Sequence, residues 1–249
     1  MRKLAEYAVA ALTMALGGGS LALFVWFLGS GAPRPAGARL SEPAVAAWDA
    51  ALCLLFFVQH SVMVRRTFRA RLGRVLPARA HGVVYTLASA AALIAMVALW
   101  RPSNVRIFTL EGPAQWLTGA MLLAAAALFF WGIGSLGEFD VFGIQAFLGR
   151  ARGGAARPSK LTIKGPYRLV RHPFYLAIIL ALWASPAVSL DRLLLNVLFS
   201  AWIVLGARLE ERDLLAEFGE AYASYQRETP MLAPGPRSPR QRRWPGARP

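Results

Sequence analysis

With 249 residues, 56% of them hydrophobic and only 16% charged, the chain is too apolar for a water-soluble domain, where about a quarter of residues carry charge. Its net charge of +15 raises nucleic acid as a partner, but the basic residues are distributed as a membrane protein requires, and no nucleic-acid site is expected. Cys53 is the sole cysteine, and His60, His81 and His172 are scattered without metal-binding spacing, so neither an internal disulfide nor a metal is expected.

Six apolar blocks follow one another, at residues 4–28, 43–64, 82–100, 113–136, 174–190 and 193–207. Spanning a bilayer takes about 20 apolar residues, with about 17 near the lower limit. The first block is longer than the roughly 7–15 apolar residues of a secretory signal core and is expected to stay as an anchor. The last two are short and are expected to pair as a tight hairpin turning at Ser189-Leu190-Asp191-Arg192. The predicted fold class is all-α, a polytopic membrane bundle of five to six transmembrane helices with a C-terminal helical hairpin and a cytoplasmic cofactor pocket. Three regions are expected: a four-helix transmembrane part over 1–136, a C-terminal core over 137–234 and a disordered basic tail over 235–249.

Between the blocks, residues 29–43 form a Gly/Pro-rich outer loop. Residues 65–79 form an arginine-rich inner linker, expected as a helix on the membrane surface with its long side chains reaching for headgroups. Residues 101–112 are a short outer loop, 137–171 the longest inner loop, and 208–226 a helix continuing inward. The tail PGPRSPRQRRWPGARP has the composition of a disordered segment. If the N-terminus is inside, Lys and Arg collect at the inner side in 65–79, 150–171 and from Arg208 onward. The outer side holds only Arg34, Arg39, Arg101, Arg106 and Arg192. That asymmetry predicts a bacterial-type inner membrane protein with both termini cytoplasmic, its surplus charge drawn to anionic headgroups.

WGIGSLGEFD places Gly132, Gly134 and Gly137 in dinucleotide-fingerprint spacing. That fingerprint works between a strand and a helix, whereas MLLAAAALFFW precedes it here. Close approach of membrane helices accounts for the glycines better.

Three polar clusters border the inner surface. QHSVMVRR carries Gln59 and His60, and EFDVFGIQ carries Glu138, Asp140 and Gln145. The third joins Tyr167, Arg168, Arg171, His172 and Tyr175 of KGPYRLVRHPFY to Arg208, Glu210, Glu211, Arg212 and Asp213 of RLEERD. If the last two blocks pair, the two halves of this third cluster meet at one edge, and ionisable groups are retained at a membrane when they pair in this way. Plainer readings stand beside each. Arg65 and Arg66 serve as topology signals, His60 as an interfacial helix end and Pro173 as a first-turn proline. Glu210 and Glu211 can be solvated partners of Arg208 and Arg212, and their roughly 100° separation lets at most one face a site squarely.

GPYRLVRHPFY, a hairpin, then LEERDLLAEFGEAYASYQRETPMLAP resembles the C-terminal core of the integral-membrane methyltransferases, such as the isoprenylcysteine carboxyl and phospholipid types. Ala177 departs from it, standing where glycine is usual. FFVQHSVMVRRTF, VVYTLASAAALIAMVALWRP and EFDVFGIQ are similar to the bacterial methanethiol S-methyltransferases through most of 56–234. The loop GRARGGAARPSKLTIKGPYR keeps the general superfamily form. NnrU-like proteins are more distantly similar.

The resemblance implies S-adenosylmethionine as methyl donor, without a Rossmann domain and without a metal. Tyr167, Arg171, His172, Tyr175, Glu210 and Glu211 would hold it, with the arginine on its carboxylate, a glutamate on its ammonium or ribose, and the tyrosines against adenine or sulfonium. The acceptor implied is a small hydrophobic thiol, methanethiol before others, with His60, Asp140 and Arg168 as catalytic residues. Arg168 or Arg171 would lower the thiol pKa. The proton acceptor is left open between His60, Asp140 and a carboxylate at Glu210 or Glu211; Gln59 would lie on the substrate side. Two other functions remain open: methylation of a lipid amine or prenylated thiol, and a non-catalytic NnrU-like membrane role.

Overall fold

The structure, a computed structural model, describes residues 1–31, 40–136, 140–149, 161 and 163–233. Arg34, Arg39, Gly137, Glu138, most of the 150–162 linker and the tail from residue 234 lie outside the described residues. In chain order the elements are α1 (Arg2–Ser30), α2 (Glu42–Val64), α3 (Arg66–Leu72), α4 (His81–Leu99), β1 (Arg106–Thr109), α5 (Gln115–Leu136), α6 (Ile144–Phe147), α7 (Pro173–Trp183), β2 (Ala187–Ser189), α8 (Leu190–Phe218) and α9 (Glu220–Glu228). Five of these helices, α1, α2, α4, α5 and α8, are long and apolar enough to cross a membrane, and α7 is a shorter apolar helix. This is the all-α membrane bundle that the composition requires.

The chain forms two compact units. The first comprises Met1–Thr109, Asp140–Ala156 and Ala187–Leu198; the second comprises Leu110–Phe139, Arg157–Pro186 and Phe199–Pro249. In the first, α4 packs against both α1 and α2. The inward stripe of α2 is Val45, Asp49, Cys53, Phe56 and Phe57, and that of α4 is Val83, Thr86, Ala90, Leu93, Met96 and Val97. Both follow the three-to-four-residue spacing of one helical face. The opposite side of α2 exposes Leu54, Leu55, Val58 and Val62, as a lipid-facing surface does.

The turn before α6 packs between α1 and α4. The Thr86 hydroxyl donates to the Phe142 carbonyl (3.2 Å), and a side chain at Gly17 would meet the Phe142 ring at 2.9 Å. Gly82 and Gly143 cross backbone to backbone. A Cβ on Gly82 would lie 2.7 Å from the Gly143 Cα, and one on Gly143, whose φ is +69°, 2.5 Å from the Gly82 Cα.

At the end of this unit that carries the α4 C-terminus, buried polar groups tie the segments together. Asp191 accepts from the Trp100 indole (3.0 Å), the Ser103 amide (3.1 Å) and the Ser189 hydroxyl (2.5 Å). Asp49, fully buried, accepts from the Arg101 amide (3.0 Å). β1 pairs antiparallel with β2, Arg106 opposite Ser189 and Thr109 opposite Ala187.

This arrangement corrects the expected hairpin turn. Helix α7 stops at Trp183, Ala187–Ser189 is extended, and Asp191 and Arg192 already lie in the first turn of α8. The cause is Ser185-Pro186: proline has no N–H for a helix and disfavours helical backbone in the residue before it. The inner linker is also less helical than expected, since α3 covers only Arg66–Leu72, with Arg69 and Arg71 exposed.

In the second unit, α5 packs along α7. Gly132 sits against Phe174, whose ring a Cβ there would approach to 3.0 Å. Gly132 therefore belongs to a helix contact on α5, as expected, whereas nothing lies within 4 Å of a side chain placed at Gly134. α8 runs antiparallel to α7, and the Trp183 indole donates to Ser200 (3.1 Å). The helix expected through 208–226 is broken at Gly219, whose φ of +55° suits glycine and lets α9 start in a new direction.

Replacing Gly82 or Gly143 with alanine is expected to lower stability by roughly 1–3 kcal/mol through overpacking, read as a lowered unfolding temperature in detergent. Gly119→Ala, where nothing lies within 4 Å, should leave that temperature unchanged or slightly raised.

Candidate functional site

The site of the second unit is built from the two segments that the sequence places about forty residues apart. It begins at a 3-10 turn, Gly165–Arg168, laid against α5. Gly165 has φ +54°, and a Cβ there would stand 2.0 Å from the Ser135 hydroxyl and 3.1 Å from the Trp131 indole nitrogen. The missing side chain of Gly165 thus lets this turn sit close against α5. Five residues after the turn, Pro173 opens α7 at a position where its missing N–H costs nothing, with His172 just before it.

A strap from the C-terminal side then fixes the turn. The Arg171 amide donates to the Pro230 carbonyl (2.9 Å) and the His172 amide to that of Met231 (3.1 Å). Helix α9 turns Tyr222 and Tyr225 inward, and the Tyr225 hydroxyl donates to the Tyr167 carbonyl (2.5 Å). Burial pushes the phenols of Tyr222 and Tyr225 well above the usual tyrosine range, so both stay neutral hydrogen-bonding groups. Gly219 makes this strap possible by redirecting the chain after α8.

At the centre stands Glu211. Arg171 donates to it from Nε (2.6 Å) and Nη2 (3.0 Å), a two-pronged pair. Gln226 adds a third bond (3.0 Å), and His172 Nε2 lies 3.1 Å from Oε1. A carboxylate oxygen can only accept, so His172 carries its proton on Nε2 toward Glu211. The second arginine nitrogen, Nη1, donates to the Gln226 carbonyl (3.0 Å) and to that of Thr229. Arg171 and Glu211 keep only 10% of their side-chain surface exposed. Each is thereby saturated by the protein itself, which gives the pair the role of holding α7, α8 and α9 together.

Glu210, one residue away, is different. About half of its side chain is exposed (48%), and its Oε2 accepts from the Tyr175 hydroxyl (2.8 Å). His172 Nδ1 lies 3.8 Å from the same oxygen, too far for a hydrogen bond. The His172 and Tyr175 rings stack at 5.2 Å and 8°. The Tyr167 phenol is pushed up to about 12 by its burial and by the charge of Glu210. Arg168 ends the 3-10 turn with its side chain at the surface.

The two glutamates therefore both belong to the cluster, one buried and one at its open edge, although their separation around the helix suggested that only one would. This works because His172, just before α7, lies near both, while Tyr175 meets Glu210 alone among the two. Of the residues expected here, Tyr167, Arg171, His172, Tyr175, Glu210 and Glu211 come together, and Arg168 is exposed at the end of the turn. Gln226 and the carbonyls of Thr229, Pro230 and Met231 were not singled out; the Y-x-x-Y spacing of Tyr222 and Tyr225, one face of a helix, was the available signal.

His60 and Asp140 belong to the first unit. The Tyr85 hydroxyl lies 2.6 Å from His60 Nε2, and the Phe56 ring lies 5.4 Å from the imidazole. Gln59 donates to Ser89 (3.3 Å). Asp140 accepts from the amides of Ile144 (2.9 Å) and Ala146 (3.0 Å), one on each oxygen, at the start of α6. That is a capping role, with a backbone amide on each oxygen. No group of three or more His, Cys, Asp or Glu placed to hold a metal ion occurs among the described residues.

Losing the Glu211 carboxylate would leave Arg171 buried without its counter-charge, at a cost of about 3–5 kcal/mol. Glu211→Ala is therefore expected to lower the unfolding temperature strongly in detergent, whereas Glu210→Ala, at the open edge, should hardly move it. Equal effects would contradict this division.

Residues 50–235 match the family described as NnrU protein. A methanethiol S-methyltransferase of Pseudomonas sp. is 36% identical over 86% of this chain and 84% of its own length. That of Mycobacterium tuberculosis is 31% identical over 82% of this chain and 85% of its own. Nurim of Sus scrofa is 28% identical over 68% of this chain and 67% of its own. No solved structure matches the chain. With three-quarters of its length inside the matched region and relatives above 30% identity along most of it, the chain belongs to the NnrU family and to the family of the bacterial methanethiol S-methyltransferases.

Proposed function

We propose that this protein is an integral-membrane methyltransferase that moves a methyl group from S-adenosylmethionine to a small thiol, methanethiol before others. The observation that carries the reading is the convergence of Arg171 and His172 with Glu210 and Glu211 in one cluster, in a chain whose relatives are named for that reaction.

The residues present suit such a donor. When bound, it supplies a methyl group made electrophilic by a positively charged sulfur. Glu210 offers a half-exposed carboxylate beside the stacked His172 and Tyr175 rings and the Tyr167 phenol, a combination of negative charge and aromatic faces that attracts organic cations. Arg168, exposed at the end of the turn, would meet a ligand carboxylate in place of the Arg171 expected from the sequence, whose donors are taken by the protein. Arg171 and Glu211 act one layer behind, holding that edge in place.

A thiol attacks as its thiolate, so a base must take its proton. Asp140 has both oxygens on backbone amides. His60, beside the Tyr85 phenol, and Glu210, half-exposed, are the two groups proposed for that task. The arginine-rich segments orient the protein in a bacterial inner membrane with both ends in the cytoplasm, which a C-terminal reporter active only in the cytoplasm would check. The same segments rest on anionic headgroups.

Purified protein given methyl-labelled S-adenosylmethionine and methanethiol is expected to release volatile labelled dimethyl sulfide. Label retained in lipid would move the acceptor to a lipid amine or prenylated thiol. No product with any acceptor, and no binding of S-adenosylhomocysteine, would favour the non-catalytic role.

A further inference from the structure

The donor carries a positive sulfonium, whereas the product left after transfer, S-adenosylhomocysteine, has a neutral thioether at the same atom. An enzyme that holds both equally well is inhibited by its own product. Resting on the methyltransferase reading above, we infer that Glu210 is the residue that tells the two apart, by reading the positive charge on the ligand's sulfur.

Adjacent acidic residues usually leave open which of them meets a ligand. Here the bonding decides it. Glu211 already accepts from Arg171 twice, from Gln226 and from His172, four donors on two oxygens, and its charge is neutralised by the two-pronged arginine. A further cation at Glu211 would have to displace a buried ion pair. Glu210 has the Tyr175 hydroxyl on one oxygen and keeps about half of its surface open.

The surroundings of Glu210 favour a dispersed cation over a strongly hydrated one. His172 sits between the two glutamates, with Nε2 3.1 Å from Glu211 Oε1 and Nδ1 3.8 Å from Glu210 Oε2. The stacked His172 and Tyr175 rings and the Tyr167 phenol add aromatic faces. Acceptors and aromatic faces suit alkyl groups polarised by a positive sulfur, through C–H···O contacts and cation–π attraction. The consequence is a site that exchanges spent product for fresh donor.

Three ligands isolate this effect: S-adenosylmethionine, S-adenosylhomocysteine and sinefungin, in which a charged amine replaces the sulfonium. Calorimetric binding to the full-length protein should rank the two charged ligands above the neutral one. In Glu210→Gln, the charged ligands should weaken roughly three- to fivefold, as for a partly exposed charge pair, while S-adenosylhomocysteine stays within about twofold. Its retained binding also reports that the variant is folded. An equal loss for all three would assign Glu210 to the shared α-ammonium and overturn the inference, as would no change for any. Wild-type protein that binds none of the three would instead remove the methyltransferase reading on which the inference rests.

Discussion

The Glu211 carboxylate organises the second unit. Burying a carboxylate away from water is costly unless every lone pair finds a donor and a counter-charge stands close. Arg171, His172 and Gln226 meet that demand together, from two separate parts of the chain. Arg171 and His172 lead into α7, Glu211 stands near the end of α8, and Gln226 lies on α9. Satisfying one charge therefore fixes three helices. The second arginine nitrogen extends the same logic to the carbonyls of Gln226 and Thr229, so that the segment following α9 is locked beside the Arg-His-Pro turn.

Much of this was legible in the sequence, for physical reasons. Uninterrupted apolar blocks of span length have few alternatives to membrane helices, and α1, α2, α4 and α5 begin and end within a few residues of them. The pairing of Arg171-His172 with Glu210-Glu211 was legible because unlike charges bordering apolar segments need one another. What remained hidden was what hydropathy does not encode. A helix that is apolar all round gives no sign of its inward face, so the stripe from Val45 to Phe57 and the backbone crossing of Gly82 with Gly143 emerge only from packing. The turn was misplaced because the apolar run continues through Pro186, where backbone chemistry rather than hydropathy ends α7. Asp140 looked like a chemical group, yet it caps α6, since a lone aspartate in sequence does not reveal which amides it faces.

The glycines of the motif carry a related lesson. Gly165 and Gly219 both have positive φ, but for different ends. At Gly165 the hydroxyl of Ser135 occupies the space a side chain would need, so the residue sets how closely the turn approaches α5. At Gly219 nothing crowds the position, and the backbone angle alone matters, because it swings α9 back toward the turn. The spacing from Glu-Glu to Phe-Gly to Tyr-x-x-Tyr is then a folding instruction that delivers Gln226 to Glu211 and Tyr225 to the Tyr167 carbonyl. One glutamate builds the frame and its neighbour faces outward from it, a division that a linear pair of identical residues does not announce.

The central claim is that the methyl donor rests on the edge formed by the end of the 3-10 turn, the start of α7 and the end of α8. Ultraviolet cross-linking of labelled S-adenosylmethionine to the purified protein, followed by peptide mapping, locates the ligand without relying on turnover. The account predicts label on peptides spanning Tyr167–Tyr175 or Arg208–Asp213. Label confined to peptides from α1, α2 or α4 would contradict it.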